Sequence, residues 1–187
     1  MEGKNGLVSE ASAADFVVSE GTLTSYNGTA SDVVIPAGLG ITAIGEAFNK
    51  NMNLRSVIIP EGVTSIKFGA FSGCGNLAGI TIPASVTSIG GWAFAECKSL
   101  KSIIVPAGVT SIEEWTFGQC GGLTSVTLQE GIVSIGRNAF LNCSSLTSIT
   151  VPKSVTSVDY VGAFFGCKAL PAEIRAEISR RFNYYMF

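Results

Sequence analysis

The chain has 187 residues, of which 47% are hydrophobic and only 14% charged, with a net charge of −2. One domain is the natural reading of that length. The apolar content argues against disorder, the balanced charge against a nucleic-acid footprint, and no apolar run approaches the roughly 18 residues of a membrane span. No histidine is present, which removes Ser-His-Asp and Cys-His catalysis and every metal site that relies on imidazole.

In chain order, residues 1 to about 14 read as a loose start. Phe16 to Gly28 read as a small hairpin system, with Glu20-Gly21 and Asn27-Gly28 as its turn signals. Residues 1–33 thus form a lead-in and an N-terminal β-hairpin cap.

Residues 34–170 repeat. Cysteines fall at Cys74, Cys97, Cys120, Cys143 and Cys167, with spacings of 23, 23, 23 and 24. Phe48, Phe71, Phe94, Phe117, Phe140 and Phe164 keep this period, as do Leu54, Leu77, Leu100, Leu123, Leu146 and Leu170. Pro36, Pro60, Pro83, Pro106 and Pro152 form a fourth series, with Gln129 in its one vacancy. The stretch Ser148-Ile149-Thr150-Val151-Pro152 shows the logic of the unit: alternation gives a strand, and proline ends it. Val-Thr-Ser-Ile supplies a second short extended piece, and a glycine such as Gly90 or Gly136 turns the chain. Ala-Phe-x-x-Cys is expected to make one helical turn that buries Phe and Cys. A unit this short cannot bury its apolar side alone, so the units must stack. With parallel strands roughly 4.8 Å apart, six coils make a rod on the order of 30 Å long.

Residues 171–187 read as a C-terminal cap. Pro171 suits the first position of a helix. Ile174, Ile178 and Phe182 then recur every fourth residue, giving one apolar stripe for the last coil, and Glu177 pairs with Arg181 at i,i+4. The apolar end Tyr184-Tyr185-Met186-Phe187 is expected to pack on the cap; left free, it would drive weak self-association. Residues 1–46 hold six acids and one base, and residues 168–187 four bases and two acids. That asymmetry would permit a weak head-to-tail attraction, but a solvated surface is the simpler reading.

The order strand, proline, Val-Thr-Ser-Ile-Gly, Ala-Phe and Cys resembles the BspA-like bacterial leucine-rich repeats over residues 34–170. The resemblance implies an α/β repeat: a right-handed leucine-rich-repeat solenoid of about six coils. Each coil would carry one parallel strand, a second short extended segment and a helical turn, with both ends of the solenoid capped. It also implies a non-enzymatic protein-binding or adhesion module, surface-associated or secreted. The alternatives are a carbohydrate-binding module using Trp92 and Trp115, and a structural spacer or fragment of a larger surface protein. Two departures are local. Coil one carries Asn51 where later coils carry Cys, and coil six inserts one residue around Asp159-Tyr160-Val161, which should bulge outward. Met1-Glu2-Gly3-Lys4-Asn5-Gly6 shows no apolar signal core, so a removed signal and a cytoplasmic location both stay open.

Each cysteine takes a buried repeat position. Neighbouring Cα atoms roughly 5 Å apart would allow a disulfide, but in register their Cβ vectors run parallel. Free thiols acting as small hydrophobes are therefore favoured, ahead of a disulfide or a soft-metal thiolate column, and no cofactor is expected. Carboxylate catalysis is disfavoured too. Glu61 and Glu130 share a repeat position three coils apart, roughly 14 Å, against the about 5–9.5 Å that glycosidases need. Glu113 and Glu114 are adjacent and should diverge. No glycine is followed by the Lys-Ser/Thr of a phosphate loop, and the sequons Asn27-Gly28-Thr29 and Asn142-Cys143-Ser144 are read as coincidence.

Two outer faces remain for recognition. The first is the row after Val-Thr-Ser-Ile: Lys67 and Phe68, Gly91 and Trp92, Glu113, Glu114 and Trp115, Arg137 and Asn138, then Asp159 and Tyr160. Trp92 and Trp115 share a repeat position, so their rings should lie side by side, flanked by Phe68 and Tyr160. Trp, Tyr and Arg are enriched in binding hot spots. Mutual packing, a protein partner and a glycan stacked on the rings are the three readings. The second face is the strand face, with outward rows Ser56, Gly79, Ser102, Ser125, Ser148 and Ile58, Thr81, Ile104, Thr127, Thr150. It is flat, small and uncharged, and its residues also simply favour strands.

Overall fold

A computed structural model describes residues 11–187; the expected loose start lies outside it up to residue 10. Residues 12–14, read above as part of that start, are held instead. Ser12 and Asp15 cap each other across a short 3-10 turn at Ala13–Asp15, the reciprocal arrangement of a capping box. Strands β1 (Phe16–Ser19) and β2 (Thr22–Tyr26) then pair antiparallel. Between them Glu20 and Gly21 take φ of 49° and 70°, as a two-residue hairpin turn requires.

The repeats lay down two strands each. The first strands are β3 (Asp32–Val34), β5 (Ser56–Ile58), β7 (Gly79–Thr81), β9 (Ser102–Val105), β11 (Ser125–Leu128) and β13 (Ser148–Thr150). The second strands are β4 (Ala43–Ile44), β6 (Ser65–Ile66), β8 (Ser88–Ile89), β10 (Ser111–Ile112), β12 (Ser134–Ile135) and β14 (Ser157–Val158). Every recorded pairing between coils is parallel and in register, Ser56 beside Gly79 and Ser125 beside Ser148, for example. β2 joins the second ladder through β4, which seats the hairpin on the N-terminal coil. Alternation decides the faces: Val126 and Leu128 of β11 are buried while Thr127 faces out.

The third edge of each coil differs from the helical turn that Ala-Phe-x-x-Cys predicts. Only coil one carries a helical piece there, a 3-10 turn at Glu46–Phe48. In coil two the amides of Ala70, Ser72 and Cys74 close turns on Lys67, Gly69 and Phe71. The amides in between, of Gly69, Phe71 and Gly73, donate to Gly91, Ala93 and Ala95 of the next coil at 3.1, 2.8 and 2.8 Å. A helix could not release those donors. Two left-handed residues in each of coils two to six break it, Gly69 and Gly73 here (φ 65° and 74°).

Inside, the phenylalanines form one stack from end to end. Neighbouring rings from Phe48 to Phe164 lie 5.3–5.5 Å apart and within 12° of parallel. Tyr26 continues the stack at 5.2 Å and Phe16 at 5.1 Å beyond it. At the other end helix α1 (Ala172–Phe182) lays Ile178 into the core, with Ile174 and Phe182 packed at its margin. Pro171 stands one residue ahead of the helix as its N-cap. Arg181 donates to the carbonyls of Val151 (2.8 Å) and Pro152 (2.7 Å) and pairs with Glu177 at 3.4 Å. In the tail, Tyr184 is buried and Phe187 lies against it at 5.2 Å, while Tyr185 and Met186 stay exposed.

Candidate functional site

The row of residues after each second strand lines the third edge of the rod. There the amides of Trp92 and Trp115 donate to Glu114 and Arg137 of the following coil, both at 3.0 Å. This fixes the two side chains one coil apart. Their rings stack at 4.5 Å with 13° between planes, the side-by-side arrangement read from the repeat. Both residues take a left-handed backbone, φ 59° and 57°, at the repeat position that Gly69, Asn138 and Gly162 occupy elsewhere. A side chain with a Cβ costs roughly 1–2 kcal/mol in that region, so tryptophan is an expensive choice twice over.

The surroundings explain how the rings sit. The Trp115 ring lies over Gly118, where a Cβ would come within 2.5 Å of it. With its amide donating to the Val161 carbonyl at 3.2 Å, Asn138 faces the Trp115 indole N–H with its oxygen at 3.1 Å. Trp92 has no such acceptor among the described residues, so its indole N–H is available. Gly118→Ala is expected to displace the Trp115 ring and cost about 1–3 kcal/mol. Loss of the tryptophan exciton signal in circular dichroism would check it.

The flanking residues are arranged less tightly than the repeat predicts. Phe68 is 58% exposed and stands beside Gly91, its Cδ2 3.7 Å from where a Cβ would be, with the Glu114 stem at 3.4 Å on the other side. Among the described residues neither Phe68 nor Tyr160 forms a ring pair with a tryptophan. Tyr160 projects at 75% exposure. The inserted residue of coil six is taken up by a turn in which Asp159 accepts the Val161 amide at 2.7 Å, which sends Tyr160 outward. Glu113 accepts from Ser111 and is exposed beside Glu114; Arg137 is exposed one coil on. The structure thus gathers Phe68, Trp92, Glu114, Trp115 and Arg137 and leaves Tyr160 apart. Gly118, the floor under Trp115, was missed in the sequence. The Gly and Asn residues sharing the tryptophan position are the signal that could have revealed the unusual backbone.

The strand face lies on another edge. Its rows are in register as Ser56 with Gly79, Ile58 with Thr81, then Ser102, Ser125, Ser148 and Ile104, Thr127, Thr150. β3 extends them with Asp32 and Val34. Hydroxyls of Ser56 and Ser31 hold the Asp32 carboxyl below the usual range. Val34, Ile58 and Ile104 are its exposed apolar residues.

Glu130 and the thiols are committed to the scaffold. Glu130 accepts the amides of Lys153 (3.1 Å) and Ser154 (3.2 Å), which hold its carboxyl below the usual range. All five cysteines are buried and free. Each thiol donates to the phenylalanine carbonyl of the preceding coil, Cys74 to Phe48 at 2.9 Å and Cys120 to Phe94 at 3.0 Å. Burial pushes Cys74 and Cys120 from 9.0 up to about 12. The folded state therefore keeps these protons longer than the unfolded chain. Stability is whole below pH 9 and falls as pH rises toward about 12. The thiols should resist a disulfide reagent at neutral pH until the chain unfolds. The alkaline loss of denaturation midpoint should be smaller in Cys74→Ala, which checks the assignment.

A stacked-strand rod with a Leu, Phe and Cys interior is a leucine-rich-repeat solenoid. The BspA type leucine-rich repeat region matches in six copies over residues 42–171, and the chain belongs to that family. A leucine-rich repeat protein of T. pallidum is similar at 26% identity and TM-score 0.76, over 95% of this chain and 98% of that one. A leucine-rich cell surface protein of Faecalibacterium prausnitzii is 30% identical at TM-score 0.71, over 83% of this chain and 51% of its own. A leucine-rich repeat protein of Eubacterium ventriosum is 32% identical at TM-score 0.74, over 80% of this chain and 41% of its own. No curated protein matches. No helix of the described residues is long and apolar enough to cross a membrane.

Proposed function

We propose that this chain is a non-enzymatic module that binds another protein, at a bacterial surface or in secreted form, through the edge carrying Trp92 and Trp115. The observation that carries this reading is the pair of half-buried tryptophans in a left-handed backbone. Strain is retained at a site when something offsets it, and such outliers cluster where proteins bind. Around the pair stand an available indole N–H on Trp92, the exposed Phe68 ring, and charges of both signs on Glu113, Glu114 and Arg137. That mixture suits a protein hot spot with a polar rim. The cell-surface description of the F. prausnitzii protein supports the location.

Capture from cell-surface extracts, compared between the intact chain and a Trp92→Ala/Trp115→Ala variant of matched folded content, tests the reading. A protein retained by the first and lost by the second is the expected result. Retention unchanged in the variant would move the site to another face. Binding to an immobilised glycan, lost in the variant, would replace protein with carbohydrate.

A further inference from the structure

Between the third and fourth coils strand pairing lapses in both ladders, leaving one bond from the Lys101 amide to the Ala78 carbonyl at 3.2 Å. Parallel pairing runs from β3 through β5 to β7 and resumes at β9; it runs from β2 through β4 and β6 to β8 and resumes at β10. At the junctions on either side the second ladder is intact. Thr87 and Gly90 donate to Thr64 and Ile66 at 2.8 Å, and Val133 and Gly136 donate to Thr110 and Ile112 at 2.8 and 2.7 Å. Among the described residues no such bond joins Thr110, Ser111 or Glu113 to Thr87 or Ile89.

Open space lies at both interruptions. A cleft of about 490 Å³ runs from Ser65 to Phe68 of coil two, over Thr87 to Gly90, to Val109 to Ser111 and Glu113 across the interruption. A second, of about 240 Å³, separates Ile80 to Ile82 from Ser102 to Ile104 on the strand face. Ile80 and Ile82 are only half-buried there, whereas Val57, Ile59, Ile103 and Val105, at the same repeat positions, are buried.

The third edge of the same junction stays closed. Trp92, Phe94 and Glu96 donate to Glu114, Thr116 and Gly118 at 3.0, 2.9 and 2.8 Å, and the tryptophan stack bridges the two coils at 4.5 Å. Thr116 fills a buried position that Ala70, Ala93, Ala139 and Ala163 take in other coils.

We infer that the rod has one joint, between coils three and four, with the tryptophan edge as its hinge line and the two strand clefts as its opening sides. Bending at any other junction must break several bonds of both ladders; among the described residues, bending here strains a single ladder bond, from the Lys101 amide to the Ala78 carbonyl at 3.2 Å. The halves are the hairpin with coils one to three, and coils four to six with α1. Because Trp92 belongs to one half and Trp115 to the other, bending changes the angle between Phe68 with Trp92 and Glu114 with Arg137. This inference stands whether or not a protein binds that edge.

Spin labels on the full chain test it, attached through non-natural side chains so that the five cysteines stay native. Thr81 and Thr127 span the joint; Ile104 and Thr150, two coils apart in the same outward row, do not. The distance distribution of the first pair should be at least about twice as wide as that of the second, as expected for two rigid bodies about a hinge. Equal widths overturn the joint. Trp92→Ala should broaden the first distribution further and leave the second alone; a variant in which both broaden alike would also count against it. If Trp92→Ala does not fold, the two pairs in the otherwise unaltered chain still decide.

Discussion

Phe117→Ala is expected to lower stability by about 3–5 kcal/mol, the cost of truncating a fully enclosed aromatic residue. The ring sits mid-stack, 5.5 Å from Phe94 and 5.3 Å from Phe140, and is fully buried. Removing it loses the transferred apolar surface and two stacking contacts, each worth about 0.5–1.5 kcal/mol. It also leaves a void that the coils cannot close. Their spacing is held by backbone bonds on the turn edge, including Phe117 to Ala139 at 2.8 Å. Denaturant titration should show a lower midpoint at unchanged slope. A loss below about 1 kcal/mol would mean that the phenylalanine stack does not carry the core.

Tyr184→Ala is expected to cost about as much, roughly 3–5 kcal/mol, and Tyr184→Phe about 1–3 kcal/mol from the hydroxyl alone. In coils two to five the phenylalanine amide donates to the coil that follows, as Phe140 does to Ala163 at 2.8 Å. Coil six has no successor. The Tyr184 hydroxyl takes that place and accepts the Phe164 amide at 2.8 Å, while its ring closes the stack edge-on at 5.8 Å. Burial pushes its phenol up to about 12, so the neutral ring stays in place at neutral pH, and stability falls only in strongly alkaline solution, where the buried phenol must ionise. In Tyr184→Phe, the Phe164 amide should exchange with solvent much faster while amides near Phe71 keep their protection. Uniform change along the rod would show that the hydroxyl does not act as the ladder's last acceptor.

Much of this arrangement was legible because a period exposes itself. The 23-residue spacing placed Phe, Leu and Cys inside, set Trp92 beside Trp115, and located both outer faces. The apolar stripe of Ile174, Ile178 and Phe182 marked the end cap. The turn edge was misread because Phe and Cys three apart fit a helix as well as a series of turns. The glycines and asparagines that make the turns left-handed carried the deciding information. Phe68 and Tyr160 looked like partners of the tryptophans because repeat position says which coil a residue is on, but not which way its ring points.

The amino-acid order by itself determined that units stack, which residues face inward and where the stack ends. Those outcomes follow from apolar periodicity, which the sequence displays in each successive repeat and breaks at the cap. Three things needed the folded chain: that the phenol of Tyr184 completes the ladder, that Phe16 and Tyr26 extend the ring stack, and that pairing lapses beside Trp92 and Trp115. Each depends on how closely two coils or a cap approach in space. That distance is a sum over all contacts along the junction, and no single repeat contains it.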